Sequence, residues 1–222
     1  MDTDKLDEME EIRKYFVDWF KADQQNKIEK YRRLNNFVEH GATLLTGSSL
    51  MENFPIYELA QGKIKSKLYN RGIGGFTSDD FIRNIDVVLF DLKPGKIFIN
   101  IGSNDMSLPD YTLENLCGKY EFILGEINER LPKTQTYVLA FYPMNEKVGH
   151  ETHGARTNAR ISKANEALKK LTKKYKNTQH ISANTGLCDS EGFLKAEWTY
   201  DGIHMYPEAY AVVFEALLPC LN

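Results

Sequence analysis

The sequence predicts an α/β fold in which helices cover both faces of a mostly parallel sheet. Short apolar runs of strand length, at residues 43–46, 97–101 and 137–141, do not alternate with polar residues and end at turn residues. Strands that are buried on both faces have this pattern. Longer segments with helical periodicity lie between these runs, and strands that alternate with helices are typical of parallel sheets.

Residues 1–40 are predicted to form a helical arm that precedes the sheet. Large apolar residues recur there at steps of three and four, with charged residues on the opposite face. They are Met9, Ile12, Phe16, Trp19 and Phe20. A polar segment at residues 22–26 is predicted to interrupt the helix. The apolar stripe fits either helices packed along the rest of the chain or the contact of a homodimer.

Residues 41–222 are predicted to form one α/β domain. Its strands are expected at 43–46, 68–69, 97–101 and 137–141. Its helices are expected at 112–131, at 155–175 and from Pro207, a residue suited to a first helical turn. The segment 142–157 has few apolar residues and is predicted to be a long loop, either a lid over a site or a solvated connection.

Composition excludes several classes of function. The chain has 222 residues, 42% hydrophobic and 27% charged, with a formal net charge of −3. That charge gives no broad positive field for nucleic acid. No segment approaches the ~20 apolar residues of a membrane span, and the N-terminus has no secretory signal pattern. Three cysteines far apart in the sequence predict reduced thiols. We therefore expect a cytoplasmic protein without a nucleic-acid partner.

Polar residues follow the predicted strands where the strands end. Gly-Ser-Ser stands at 47–49, a glycine-rich turn at 72–75, Gly-Ser-Asn-Asp at 102–105, and Asp-Gly-Ile-His at 201–204 before the last helix. Parallel α/β sheets bind ligands outside the carboxyl ends of their strands. Each turn alone is more often only a turn. All four in this order predict one site.

The residue types in these turns are those that acyl transfer needs. A serine hydroxyl such as that of Ser49 becomes nucleophilic when a neutral imidazole, here His204, takes its proton. Asp201, three residues before His204, is placed to hold the ring tautomer. The backbone N–H beside Ser49, the N–H of Gly75 and the carboxamide of Asn104 are candidate donors to an oxyanion.

These blocks resemble those of the SGNH (GDSL-type) hydrolase superfamily, from about residue 41 to the end. The matching segments are LLTGSSLMENFP, NRGIGGFT, INIGSNDM and DGIH. The resemblance implies Ser49, Asp201 and His204 as a catalytic triad, and Ser49, Gly75 and Asn104 as the oxyanion hole. It also implies a flavodoxin-like three-layer α/β/α sandwich with a mostly parallel five-stranded sheet, and no metal or cofactor.

One departure from the family pattern concerns the first block, which usually reads Gly-Asp-Ser. Here Ser48 stands in place of the aspartate. The spacing from Gly47 still favours Ser49 as the nucleophile. A polar partner of the nucleophile loop is changed, which puts the rigidity of that loop in question.

Other candidate sites are weaker. The turn at 72–77 lacks the final glycine of a dinucleotide-binding loop, because Thr77 occupies that position. His150 and His153 flank Glu151 without forming a zinc motif, and we expect both imidazoles to face solvent. Alternatively, these two histidines and Arg156 contact the polar end of a substrate.

The sequence therefore predicts a serine ester hydrolase that acts on a small-molecule ester, with a short-chain acyl or acetyl group. A carbohydrate O-acetyl esterase, a lysophospholipase or a thioesterase would use the same residues. A catalytically silent binding module on the same fold is the alternative from another class.

Overall fold

The computed structural model describes residues 3–149 and 153–222. In chain order the elements are α1 (Thr3–Leu34), β1 (Thr43–Gly47), α2 (Ser49–Glu52), α3 (Ile56–Ala60), β2 (Leu68–Gly72), α4 (Ser78–Arg83), α5 (Ile85–Val88), β3 (Lys96–Asn100), α6 (Leu113–Arg130), β4 (Gln135–Leu139), α7 (Asn158–Thr172), β5 (Thr178–Ile181), α8 (Asn184–Leu187) and α9 (Pro207–Leu221). Single 3₁₀ turns cover Asn35–Phe37, Phe90–Leu92, Asp105–Ser107 and Ala196–Trp198.

The N-terminal helix α1 runs without interruption from Thr3 to Leu34. The predicted break at residues 22–26 is wrong, because that segment holds no glycine or proline and its polar residues cost a helix little. An ion pair between Asp23 and Lys27 (2.8 Å), one turn apart, supports the helix across it. The helix also ends before residue 40, in the short turn Asn35–Phe37.

The chain divides into a unit that ends at Val38 and a unit at Glu39–Asn222. In the first unit, large apolar side chains of α1 are exposed, among them Met9, Ile12, Tyr15, Phe16, Val17, Trp19 and Phe20. A homodimer contact through this stripe stays a prediction. Among the described residues, no helix has the length and apolar content needed to cross a bilayer.

The second unit confirms the predicted α/β class. Its sheet has the strand order β2-β1-β3-β4-β5, and every neighbouring pair is parallel. Four of the strands include or overlap the predicted apolar runs. The fifth, Thr178–Ile181, forms the edge beside β4.

Both faces of the central strands are buried. Leu45 and Phe98 belong to a core cluster with Tyr210 and Phe214 of α9. Their neighbours in sequence, such as Ile97, point to the opposite face and are buried as well. Full burial of each such side chain contributes about 1.5–3 kcal/mol, which explains why the strand sequences do not alternate.

The register of the sheet determines where the loops emerge. Gly47, the last residue of β1, pairs with Gly72 at the end of β2 and with Asn100 at the end of β3. The three loops that follow these strands therefore begin side by side at one edge.

Candidate active site

Ser49 is presented by the sharp turn between β1 and α2. A Cβ on Gly47 would lie 2.0 Å from the carbonyl oxygen of Asn100, so only glycine allows the two strands to approach here. The N–H of Ser48 donates to that carbonyl (3.2 Å). The side chain of Ser48 is fully buried, whereas Ser49 is partly exposed.

Ser49, His204 and Asp201 form a chain of hydrogen bonds. The Oγ of Ser49 lies 2.9 Å from Nε2 of His204, and Nδ1 of His204 lies 2.6 Å from Oδ2 of Asp201. Since an ionised carboxylate only accepts, we assign the ring proton to Nδ1. Nε2 is then an acceptor for the Ser49 hydroxyl. The structure brings together all three residues that the sequence had singled out for this chemistry.

The Asp201 carboxylate is fixed by the turn that carries His204. Its Oδ1 accepts the backbone N–H groups of Ile203 (2.9 Å) and His204 (2.7 Å). Partial burial raises the pKa of Asp201, but hydrogen bonds from the His204 ring and from these two N–H groups outweigh that effect. The net pKa therefore lies below the ordinary value. Asp201 is therefore ionised at neutral pH.

Two residues next to this turn were not singled out from the sequence. Thr199 accepts the N–H of Gly202 (2.9 Å) and donates its hydroxyl to the carbonyl of His204 (2.7 Å). The ring of Tyr200 stacks on the imidazole of His204, with centroids 5.7 Å apart and planes 8° apart. The sequence signal that could have identified Thr199 and Tyr200 is their position just before Asp201.

The candidate oxyanion donors Gly75 and Asn104 lie in the loops after β2 and β3, the two strands that flank β1. Gly75 has φ +75°, a conformation that favours glycine, and a Cβ on the adjacent Gly74 would lie 3.8 Å from the Cβ of Ser49. Asn104 Nδ2 donates to the carbonyl of Phe76 (2.9 Å), which ties the loop after β3 to the loop after β2. Within the described residues, the backbone N–H groups of Ser49 and Gly75 have no hydrogen-bond acceptor.

A carboxylate missed from the sequence holds the glycine-rich loop. Glu52, at the end of α2, accepts the N–H of Gly74 (2.6 Å) through Oε2. This contact links the helix that begins at Ser49 to the loop that carries Gly75. No local pattern in the sequence pointed to it.

His153 is buried, with 6% of its surface exposed. Its Nε2 lies 3.0 Å from the backbone carbonyl of Asp201. The predicted solvent-facing position is therefore wrong for His153, because the ring packs behind the turn that carries Asp201. A contact between His153 and a substrate stays a prediction. His150 lies outside the described residues.

Arg156 is also buried, with 6% of its surface exposed. Its Nη2 donates to Oδ1 of Asn104 and to Oγ of Ser107, each at 3.1 Å. Burial lowers the pKa of Arg156 to about 10, and the nearby Asp201 opposes that shift. The guanidinium therefore stays charged at neutral pH. A contact between Arg156 and a substrate stays a prediction.

The described part of the segment 142–157 packs against the domain. Residues 142–145 are buried, and the N–H of Asn145 donates to the carbonyl of Gly202 (2.8 Å). A merely solvated connection is therefore wrong for these residues, one of which, Asn145, donates a backbone hydrogen bond to the turn of Asp201 and His204.

The chain is similar to known proteins in sequence and in fold. The chain is 27% identical over 177 residues to the platelet-activating factor acetylhydrolase IB subunit alpha2 of Homo sapiens, an alignment that covers 78% of this chain and 73% of the relative. A Streptococcus pneumonia structure described as a platelet activating factor is 28% identical, with a TM-score of 0.88 over 95% of this chain and 98% of that one. An acylhydrolase structure from Bacteroides fragilis, at 18% identity, shares the fold with a TM-score of 0.76 over 87% and 95% of the two chains.

The family model of the GDSL-like lipases and acylhydrolases matches residues 47–212. The matched region begins at the turn before Ser49 and includes Gly75, Asn104, Asp201 and His204. It extends into α9. The chain therefore belongs to the GDSL-like lipase/acylhydrolase family.

Proposed function

We propose that this protein is a serine ester hydrolase that cleaves short-chain acyl or acetyl esters. The observation that carries the proposal is the hydrogen-bonded chain from Ser49 Oγ to His204 Nε2 (2.9 Å) and from His204 Nδ1 to Asp201 Oδ2 (2.6 Å). A nucleophile, a base and a group that orients the base are the three parts of a nucleophilic hydrolase.

In the proposed reaction, Ser49 Oγ bonds to the acyl carbon while its proton passes to Nε2 of His204. Asp201 holds the ring and stabilises the imidazolium. As the tetrahedral intermediate collapses, His204 gives the proton to the leaving alcohol. Water then attacks the acyl-enzyme with His204 as base, and the returning proton restores the Ser49 hydroxyl.

The negative charge that develops on the carbonyl oxygen needs donors on the side of Ser49 away from His204. We assign that role to the N–H groups of Ser49 and Gly75 and to the Nδ2 of Asn104. The absence of an acceptor for both backbone N–H groups, among the residues described, supports this assignment. Hydrogen-bond donors stabilise a developing negative charge most when they already point toward it before the reaction begins.

The preference for a short acyl group is supported by the relatives. The human protein at 27% identity is named for the removal of an acetyl group. A carbohydrate O-acetyl group, a lysophospholipid or a thioester would use the same residues.

The test uses two adjacent serines as a matched pair. Wild-type protein should hydrolyse p-nitrophenyl acetate and should be labelled by a fluorophosphonate probe. Ser49→Ala should abolish both, whereas Ser48→Ala should keep most of both because Ser48 is buried and does not contact His204. A wild-type protein that is neither active nor labelled would indicate a silent binding module.

A panel of substrates then resolves the acyl class. Acetyl, butyryl and octanoyl p-nitrophenyl esters are compared by kcat/KM, beside acetylated sugars, a lysophospholipid and an acetyl thioester. We expect the acetyl and butyryl esters to exceed the octanoyl ester. A clear preference for octanoyl would overturn the short-chain assignment.

A further inference from the structure

Arg156 is a charged side chain that the triad and the oxyanion donors do not explain. Only 6% of its surface is exposed, and its Nε has no hydrogen-bond partner among the described residues. Among the described residues its hydrogen-bond acceptors are neutral: Asn104 Oδ1 and Ser107 Oγ. A buried guanidinium that donates only to neutral groups is destabilising in general, so its presence calls for another role.

The position of Arg156 determines the orientation of the Asn104 carboxamide. A guanidinium only donates, so the terminal atom that faces it must be Oδ1. On the opposite side, the carbonyl of Phe76 only accepts, so the atom that faces it must be Nδ2. One hydrogen of Nδ2 is used by Phe76, and the second remains for a substrate oxygen.

A charged donor on Oδ1 also changes the strength of the amide as a donor. Drawing electron density toward Oδ1 makes the Nδ2 hydrogens more positive, and hydrogen bonds in such a chain reinforce one another. This stronger donor stabilises a charged acceptor more than it stabilises a neutral carbonyl. It therefore favours the tetrahedral oxyanion over the bound ester.

We propose that Arg156 is a positioning residue that orients and polarises Asn104 toward the oxyanion. The inference rests on the proposed hydrolase function. Arg156 itself does not touch the reacting atoms. Its hydrogen bond to Ser107, whose hydroxyl donates to the carbonyl of His153 (3.3 Å), holds the guanidinium in place.

The test is a double-mutant cycle between Arg156 and Asn104, measured on the neutral substrate p-nitrophenyl acetate. Asn104→Ala should lower kcat by about 10²–10³-fold. Arg156→Met should lower kcat by roughly 10–100-fold with KM within about twofold, since it weakens one donor without removing it. In the Asn104→Ala background, Arg156→Met should lower kcat by less than about twofold further.

Three further measurements separate this role from a structural one. Arg156→Lys keeps the positive charge at this position, so it should recover part of the kcat that Arg156→Met loses. The affinity for phenylboronic acid, which forms an anionic tetrahedral adduct with a serine, should fall in parallel with kcat. Arg160→Met is the matched control. Arg160 lies one turn along the chain and donates to the Met106 carbonyl (3.0 Å) rather than to Asn104, so kcat should be unchanged.

The outcomes are distinguishable. If Arg156→Met and Asn104→Ala reduce kcat independently, so that their effects multiply, the positioning role is wrong. If Arg156→Met raises KM only for an anionic ester and leaves kcat for p-nitrophenyl acetate intact, Arg156 contacts substrate instead. If Arg156→Met does not fold, the same double-mutant cycle is measured with Arg156→Lys and Asn104→Ala. That cycle then decides between the positioning role and a contact with substrate. If wild-type protein has no esterase activity, the proposed function itself fails.

Discussion

The Oδ1 and Oδ2 atoms of Asp201 have separate partners in His204. Oδ2 lies 2.6 Å from the ring Nδ1, and Oδ1 accepts the backbone N–H at 2.7 Å. One carboxylate thus holds both the ring and the main chain of the same residue. Because Asp201 and His204 are three residues apart, both contacts form within a single turn of the chain.

Replacing Asp201 by Asn should therefore disable the base without unfolding the turn. An amide can present its NH₂ to Nδ1, which would place the ring proton on Nε2 and block proton transfer from Ser49. We expect kcat for p-nitrophenyl acetate to fall by about 10⁴-fold. Circular dichroism spectra that match the wild type, together with a kcat loss of less than tenfold, would contradict the assigned role of Asp201.

The lowered pKa of Asp201 gives a prediction for stability against pH. Because the pKa is lower in the folded state, the unfolded chain binds more protons as pH falls below the ordinary carboxyl value of about 3.9. The stabilisation from Asp201 is therefore complete above that pH and is lost as pH falls through the folded-state pKa. The difference in urea midpoint between wild type and Asp201→Asn should be largest at neutral pH and should shrink below pH ~4. A constant difference from pH 7 to pH 3 would show that this ionisation does not contribute.

Gly75 offers a backbone test of the oxyanion hole. At φ +75° a Cβ is strained, and Gly75→Ala should destabilise the fold by about 1–3 kcal/mol and lower kcat by displacing the N–H. Gly118 is the matched control. It lies within α6, and a Cβ there would meet no atom within 4 Å. Gly118→Ala should stabilise by about 0.5–1 kcal/mol and leave kcat unchanged. Equal effects of the two substitutions on kcat would contradict the role of Gly75.

The sequence predicted those parts of the fold that follow from the local pattern of apolar and polar residues. Apolar runs identified β1, β3 and β4, whose apolar residues are buried, and the short apolar pair at 68–69 identified the start of β2. They did not identify Thr178–Ile181, because this edge strand is polar and its residues are only half-buried or exposed. The polar segment at 22–26 was misinterpreted for the opposite reason, since low hydrophobicity alone does not end a helix.

In the site, too, a local sequence pattern indicates some residues, whereas other contacts depend on the tertiary structure. Ser49, Asn104 and the pair Asp201 and His204 could be singled out because each follows or precedes a recognisable element. The contact between Arg156 and Asn104 joins residues 52 positions apart. It depends on how the segment before α7 folds back over the loop after β3, and no local pattern encodes that path.

Ser48 gives a prediction that concerns the departure from the family pattern. Its Oγ is buried and has no hydrogen-bond partner among the described residues. Removing an unsatisfied buried hydroxyl costs little, so Ser48→Ala should leave the free energy of unfolding unchanged or raise it by up to about 1 kcal/mol. Urea denaturation measures this. A loss of more than 1 kcal/mol would mean that the hydroxyl does have a partner in solution.

Tyr120 supports the strand end from which the Asn104 loop begins. Its hydroxyl donates to the carbonyl of Ile101 (2.7 Å) and accepts the N–H of the same residue (3.3 Å), and burial raises the pKa of the phenol. Tyr120→Phe leaves both backbone groups buried and unpaired, which should cost about 1–3 kcal/mol of stability and a lower Tm.

The matched control for Tyr120 is Tyr175, whose hydroxyl makes one exposed bond to the carbonyl of Glu121 (3.1 Å). Tyr175→Phe should change stability by less than about 0.5 kcal/mol, because water replaces the lost partner. Since Ile101 immediately precedes the loop of Asn104, Tyr120→Phe should also lower kcat, whereas Tyr175→Phe should not. Equal losses of stability in the two variants would show that burial of the Ile101 peptide groups is not what gives Tyr120 its effect.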